Sequence, residues 1–316
     1  MKHRLSRRSF FKTSLLASAA AGALSPAPFR ARAAEPFKHS STPRLKLGLA
    51  AYSFRLYFEH GEKNGGLASP SGKPIDMFEF IDYCAEHGCD GAELTSYYFP
   101  AQLDDAYLLR LKRHAFLRGV EISGSAIGNV FTHPKGERRN TEIAAARRWI
   151  DRAALLGAPH IRIFAGEAPK GVSIEDARKN CIETTEEVAA YAGEKGVFLG
   201  IENHGGIVAE ASGLLNIIKA INSPWVGINL DTGNFRTENP QADLALCAPY
   251  AVNVQFKTDI SPKAKPTEEA NVHELLGILR KANYQGYVTL EYEHSENPWT
   301  GVPKWLGRLR EEIARA

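Results

Sequence analysis

The stretch GEKGVFLGIENHGG, residues 193–206, passes from a helix end through a strand into a polar turn. Upstream, SIEDARKNCIETTEEVAAYAGEKG (173–196) spaces its apolar residues by three and four. Gly196 closes that helix as a left-handed C-cap would. VFLGIEN (197–203) is a short apolar run of the kind that forms a buried strand. Its end carries Glu202, Asn203 and His204. A charge buried without a partner is costly, so a compensating group is expected beside Glu202.

The same alternation extends in both directions. Further strands are read at LKLGLAAYSF (45–54), GAEL (91–94), VEISGSAI (120–127), HIRIFAG (160–166), VGINLD (226–231), AVNVQFK (251–257) and YVTLEYE (287–293). Helical spacing recurs between them, as in 75–88, 141–157 and 272–286, with Gly88, Gly157 and Gly286 as further C-cap candidates. Strands alternating with helices make βαβ units and a parallel sheet. Eight strands in a chain of this length predict an α/β fold of the (β/α)₈ TIM-barrel class, a single domain over residues 45–316. A doubly wound open sheet is the alternative, but no G-x-G-x-x-G follows the first strand.

The first residues are of another kind. Residues 1–33 have a basic head, a short apolar middle and a small-residue end. The motif SRRSFFK, with Arg7 and Arg8, resembles a twin-arginine signal peptide with cleavage after Ala33, which implies a periplasmic or secreted protein. Residues 34–44 read as a flexible linker. Seven of the chain's 39 lysines and arginines, and none of its 36 acids, lie in the signal, so the remainder carries a net charge of about −4. That charge makes nucleic acid a poor partner, and no later stretch is apolar enough for a membrane helix. Cys84, Cys89, Cys181 and Cys247 form no C-x-x-C pair and read as small buried hydrophobes.

In a TIM barrel the active site lies at the C-terminal ends of the strands. The last strands end in Glu202, Asp231, Gln255 with Lys257, and Glu291. Three carboxylates converging on one mouth repel one another unless compensated. Either a divalent cation held by oxygen donors does this, or ion pairs with Lys257 and Arg162 do.

The series IENHGG, NLDTGN, VQFKTD and TLEYE resembles the xylose isomerase-like barrel superfamily, in its sugar phosphate isomerase/epimerase branch, over nearly all of residues 45–310. The resemblance implies one divalent metal ion on Glu202, Asp231, Gln255 and Glu291, with Glu202 and Glu291 as the acid/base pair of a sugar isomerase or epimerase. Gln255 stands where the family usually has histidine. A glutamine carbonyl makes a weaker and harder site, favouring manganese or magnesium over zinc. Alternatively, Gln255 binds substrate and the metal has three protein ligands. Asn234 stands where the epimerases often carry a substrate-binding histidine.

Such a metal stabilises an enediolate while a base and an acid move the proton. His204, Lys257, Glu93, Asn129 and Asn234 are candidate substrate-binding residues. His160 begins a strand, at the wrong end for catalysis, and reads as structural, as do Trp299 and Trp305. The partner is a small carbohydrate, non-phosphorylated because no arginine cluster offers a phosphate clamp, and a homo-oligomer is compatible with the sequence. The competing readings are a lyase or dehydratase on the same scaffold, a non-catalytic sugar-binding barrel, and an endonuclease IV-like nuclease. The last should show several metal-binding histidines and a basic face.

Overall fold

The computed structural model describes residues 35–61 and 65–315. The signal-like segment, with Arg7, Arg8 and the cleavage point after Ala33, lies outside the described residues. Eight strands close into one parallel barrel: β1 Leu45–Ala50, β2 Gly91–Thr95, β3 Glu121–Ala126, β4 His160–Phe164, β5 Phe198–Glu202, β6 Val226–Asp231, β7 Ala251–Phe256 and β8 Gly286–Leu290. Each strand pairs with its neighbours in sequence, and β1 pairs with β8 to seal the ring. This is the (β/α)₈ TIM barrel that the alternation predicts.

The helices outside the ring are α1 Met77–Glu86, α2 Asp105–Arg118, α3 Glu137–Leu156, α4 Ile174–Glu194, α5 Ala211–Ala220, α6 Pro240–Cys247, α7 Val272–Lys281 and α8 Pro298–Ala314. Their starts are chemically marked. Asp76 and Glu79 form a reciprocal capping box on α1, and Asp104, Ser173, Asn239, Asn271 and Asn297 cap α2, α4, α6, α7 and α8. Gly157 ends α3 in the left-handed conformation. Gly286 does not end α7. That helix stops at Lys281, Asn283 takes the left-handed position with φ 54°, and Gly286 begins β8.

Between barrel and helices lies a continuous apolar layer that includes Phe80, Leu111, Ile150, Val188, Leu214, Leu276 and Leu309, all buried. All four cysteines are buried and unpaired. Trp299 packs against Phe54, Tyr57 and Tyr83, and Trp305 against Phe256. Residues 35–44, read as a linker, carry no helix or strand but are tied to the barrel floor. Phe37 N–H donates to the Pro249 carbonyl, its ring meets Phe198, and Gln285 donates to the carbonyls of Ser41 and Thr42. Among the described residues no helix is long and apolar enough to cross a membrane.

The barrel interior is polar. Asn229 and Asp231 alternate with Ile228 and Leu230 along β6, and Asn253 and Gln255 alternate with Val254 and Phe256 along β7. The period of two sends one set inward and the other to the helices. His160 lies near the floor of this interior, where burial lowers its pKa to about 4 and keeps it neutral. Its ring sits directly against Gly124 of β3, and a Cβ at that position would overlap it. Gly124→Ala is therefore expected to destabilise the protein by about 1–3 kcal/mol through overpacking. Urea denaturation checks this, and an unchanged midpoint and slope would contradict the packing.

Candidate active site

Short polar side chains tie the strand ends to one another at the C-terminal rim. Asn203 donates to the Asp231 carbonyl and accepts from Asp231 N–H, both at 2.8 Å. Asn129 binds the Phe164 carbonyl and N–H in the same way, at 2.7 and 2.9 Å. Thr232 accepts from Lys257 N–H at 2.9 Å, and Ser53 accepts from Tyr292 N–H at 2.9 Å while donating to the Leu290 carbonyl. Each clamp satisfies backbone groups where a strand leaves the sheet, which fixes the next side chain's direction. Asn129, a candidate sugar binder, thus has both ends of its amide occupied.

The clamped rim presents Glu202, Asp231 and Glu291, all nearly inaccessible to solvent. Two cations meet them. Arg162 Nε lies 3.0 Å from Glu202 Oε2, while its Nη1 donates to the Ile127 carbonyl and its guanidinium stacks on Phe164. Asn234 donates to the other oxygen of Glu202 at 2.8 Å. Lys257 Nζ lies 2.6 Å from Glu291 Oε2, 2.8 Å from Glu293 Oε1 and 3.4 Å from Asp231 Oδ2. The ion pairs anticipated as an alternative to a metal are thus present.

The pairing is incomplete electrostatically. Burial pushes Glu202 up to about 8, against the pull of Arg162 and with help from Asp231 and Glu291. Burial likewise raises Asp231 to about 7, opposed by Lys257. For both cations burial acts downward, but the carboxylates win: Arg162 is held above its ordinary value mainly by Glu202, and Lys257 well above its own by Asp231, Glu291 and Glu293.

Below the rim, four side chains form a closed ring across the interior. Gln255 Nε2 donates to Glu93 Oε1 at 2.7 Å, and Asn253 Nδ2 donates to Glu93 Oε2 at 2.9 Å and to Asn229 Oδ1 at 2.8 Å. Asn229 Nδ2 closes the ring on Gln255 Oε1 at 2.6 Å. Burial and then Glu291 raise Glu93 to about 7. Glu93 therefore lies under the site with both oxygens engaged, and His160 Nε2 stands 3.8 Å from one of them.

These residues also test the divalent ion that the family resemblance implies. Asp231 Oδ2 is buried and accepts no hydrogen bond, and three carboxylate ends are the donors a hard cation prefers. By their chemistry, though not as a gathered group, the carboxylates of Glu202, Asp231 and Glu291 suit such an ion. Gln255 fits less well, because its carbonyl oxygen already accepts from Asn229 and its amide is turned to Glu93. Among the described residues no three His, Cys, Asp or Glu side chains are gathered as a ready ligand group, since Arg162 and Lys257 stand against the carboxylates. An ion and Lys257 would compete for the same negative charge.

His204 is exposed at the rim beside Phe164, with ring centroids 4.6 Å apart, and partial burial followed by the Arg162 charge lowers its pKa. Several participants escaped the sequence reading. Asn229 and Asn253 carried a usable signal, each lying two residues before a candidate site residue and so on the same inward face of its strand. Glu293 had none, since a lone glutamate after a strand end is ordinary surface chemistry.

The fold has known counterparts. The sequence profile described as xylose isomerase-like TIM barrel matches residues 81–312. Among solved structures, the chain is similar to 3-keto-D-glucoside 4-epimerase YcjR from E. coli, with a TM-score of 0.63 and 18% identity over 85% of this chain and 100% of that one. It is also similar to D-psicose 3-epimerase with D-tagatose from Clostridium cellulolyticum H10, with a TM-score of 0.64 and 17% identity over 85% and 96%. The IOLI protein with a binding zinc atom gives a TM-score of 0.65 and 16% identity over 85% and 97%. No curated protein matches the chain. At these identities the structures speak for the fold alone, whereas the profile spans most of the barrel: the chain belongs to the xylose isomerase-like TIM barrel family.

Proposed function

We propose that this protein is a divalent-metal-dependent isomerase or epimerase of a non-phosphorylated sugar or keto-sugar, working through an enediolate with Glu202 and Glu291 as the acid/base pair. The observation that carries the reading is the state of Glu202. Its carboxyl sits at the barrel mouth, is oriented by Arg162 and Asn234, and burial in the metal-free protein holds it well above the ordinary carboxyl range. Glu291 stands three strands further round, past Asp231 and Lys257, so a ring lying between them presents a face to each. The sugar epimerases among the structural neighbours support the same class.

When bound at Glu202, Asp231 and Glu291, the ion would supply Lewis acidity to the sugar carbonyl and acidify the neighbouring C–H. The chain's own groups do the rest. Glu202 removes the proton, and Glu291 returns one to the other face or the adjacent carbon. Arg162 and Lys257 keep positive charge beside the oxyanion that develops, in a site with little water to screen it. Both cations are already committed to carboxylates, which supports an uncharged sugar over a phosphorylated one. The twin-arginine motif adds, in this reading, a place of action in the periplasm or outside the cell.

Incubation with keto-sugars in deuterated buffer tests the reaction. The wild type should incorporate deuterium at carbon without losing water, while Glu202→Gln and Glu291→Gln should each lower turnover by at least about a thousandfold with the fold intact. Retained activity in both variants would remove the assignment, and loss of water or of an aglycone would show elimination instead.

Metal binding and pH are linked through the same carboxyls. Glu93, Asp231 and Glu202 are raised in the folded protein, so their contribution to stability is full below the ordinary carboxyl range and fades as pH rises through about 7 to 8. The thermal midpoint of metal-free protein should fall between pH 6 and pH 8. Manganese should raise it more at pH 8, where it replaces the lost protons; an equal rise at both pH values would contradict this. Lys257→Met removes the competing ammonium and should tighten manganese binding about tenfold by calorimetry. Unchanged or weaker binding would show that Lys257 and the ion do not compete.

A further inference from the structure

A cavity of about 920 Å³ opens beside the barrel mouth, and none of Glu202, Asp231 and Glu291 lines it. One wall is the turn after β5 with the first residues of α5, and the other is the loop after β6 with α6. His204 and Asn234 form its inner end. Asn234 faces both ways: it lines the cavity and donates to Glu202 Oε1 at 2.8 Å, so one hydrogen bond separates the cavity from the proposed base. The volume is at the upper end of the range for small-molecule pockets, and a single sugar ring seated at Glu202 leaves it unfilled.

The lining indicates what would fill it. Leu215, Ala242 and Leu246 give an apolar floor, and Leu246 is 59% exposed although it is a large hydrophobe. Arg236, Glu238 and Lys263 line the cavity with exposed side chains that make no ion pair among the described residues. Free donors and acceptors above an apolar floor suit a polyol or a planar aglycone, which needs both kinds of contact. The acids Glu167, Glu210, Glu238 and Asp243 outnumber the two basic residues, so the wall has no net attraction for an anion.

We propose that this cavity is a second subsite, which takes a neutral sugar or aglycone joined by a glycosidic bond to the ring that reacts at Glu202. The natural substrate is then a glycoside or disaccharide, not a free monosaccharide. The proposal rests on the reading of the mouth as a sugar site. Ser212 on α5 and Ala242 on α6 lie on opposite walls, are exposed, and touch none of the acid/base residues, so Ser212→Trp and Ala242→Trp each fill the cavity without disturbing the core.

Calorimetric titration of the manganese-loaded wild type and both variants with fructose, lactulose, isomaltulose and fructose 6-phosphate tests it. At least one of the ketose disaccharides should bind the wild type ten or more times tighter than fructose. Either tryptophan should erase that advantage while leaving fructose affinity unchanged. Disaccharide binding equal to that of fructose, or an advantage that survives both tryptophans, overturns the subsite and leaves the sugar site standing. A preference for fructose 6-phosphate over the disaccharides overturns it in favour of an anion site at Arg236 and Lys263. If no sugar binds, fructose included, the reading of the mouth fails and the subsite with it.

Discussion

Three carboxylates held out of water at the end of one barrel set the terms for everything around them. Glu202, Asp231 and Glu291 cannot all be ionised there without positive charge beside them; otherwise one takes up a proton. Arg162 and Lys257 supply two charges, but burial still holds Glu202 and Asp231 above the ordinary carboxyl range. In the proposed function, a divalent ion would supply the further positive charge and Glu202 the proton transfer.

That arrangement is held by structure that has no chemistry of its own. Asn203, Asn129, Thr232 and Ser53 clamp the strand ends and so fix the backbone from which the acidic side chains project. Beneath them the ring of Glu93, Gln255, Asn229 and Asn253 gives the mouth a rigid polar floor in which every member is satisfied by another. A partly satisfied network in a core is unfavourable, and a closed one holds its members in a single arrangement. Gln255 belongs to this floor. Lys257, two residues further on, is directed to the carboxylates instead.

Much of this was legible in the sequence and some of it was not. All eight strands were, because each is a short apolar run between helical spacing, and a strand buried on both sides has little freedom to look otherwise. Helix ends were less so. The first turn of α3, Glu137 to Asn140, is polar and lacks the apolar spacing that marks the rest, and Gly286 looks like a helix stop although Asn283 performs that task. The acidic members of the site were legible because charge at the end of an apolar strand needs an explanation. Amides carry no such demand: only the distances of Asn129 and Asn203 to neighbouring strands show that they clamp the strand ends.

Whether the carboxylate cluster accepts a divalent ion in competition with its own lysine decides the chemistry of the barrel mouth. A crystal structure of manganese-soaked protein, with anomalous scattering collected at the manganese edge, measures this directly. We predict one strong anomalous peak within coordinating distance of Glu202, Asp231 and Glu291, with Lys257 Nζ withdrawn from Asp231. No peak at those carboxylates, or a peak elsewhere while Lys257 keeps its three partners, would contradict it.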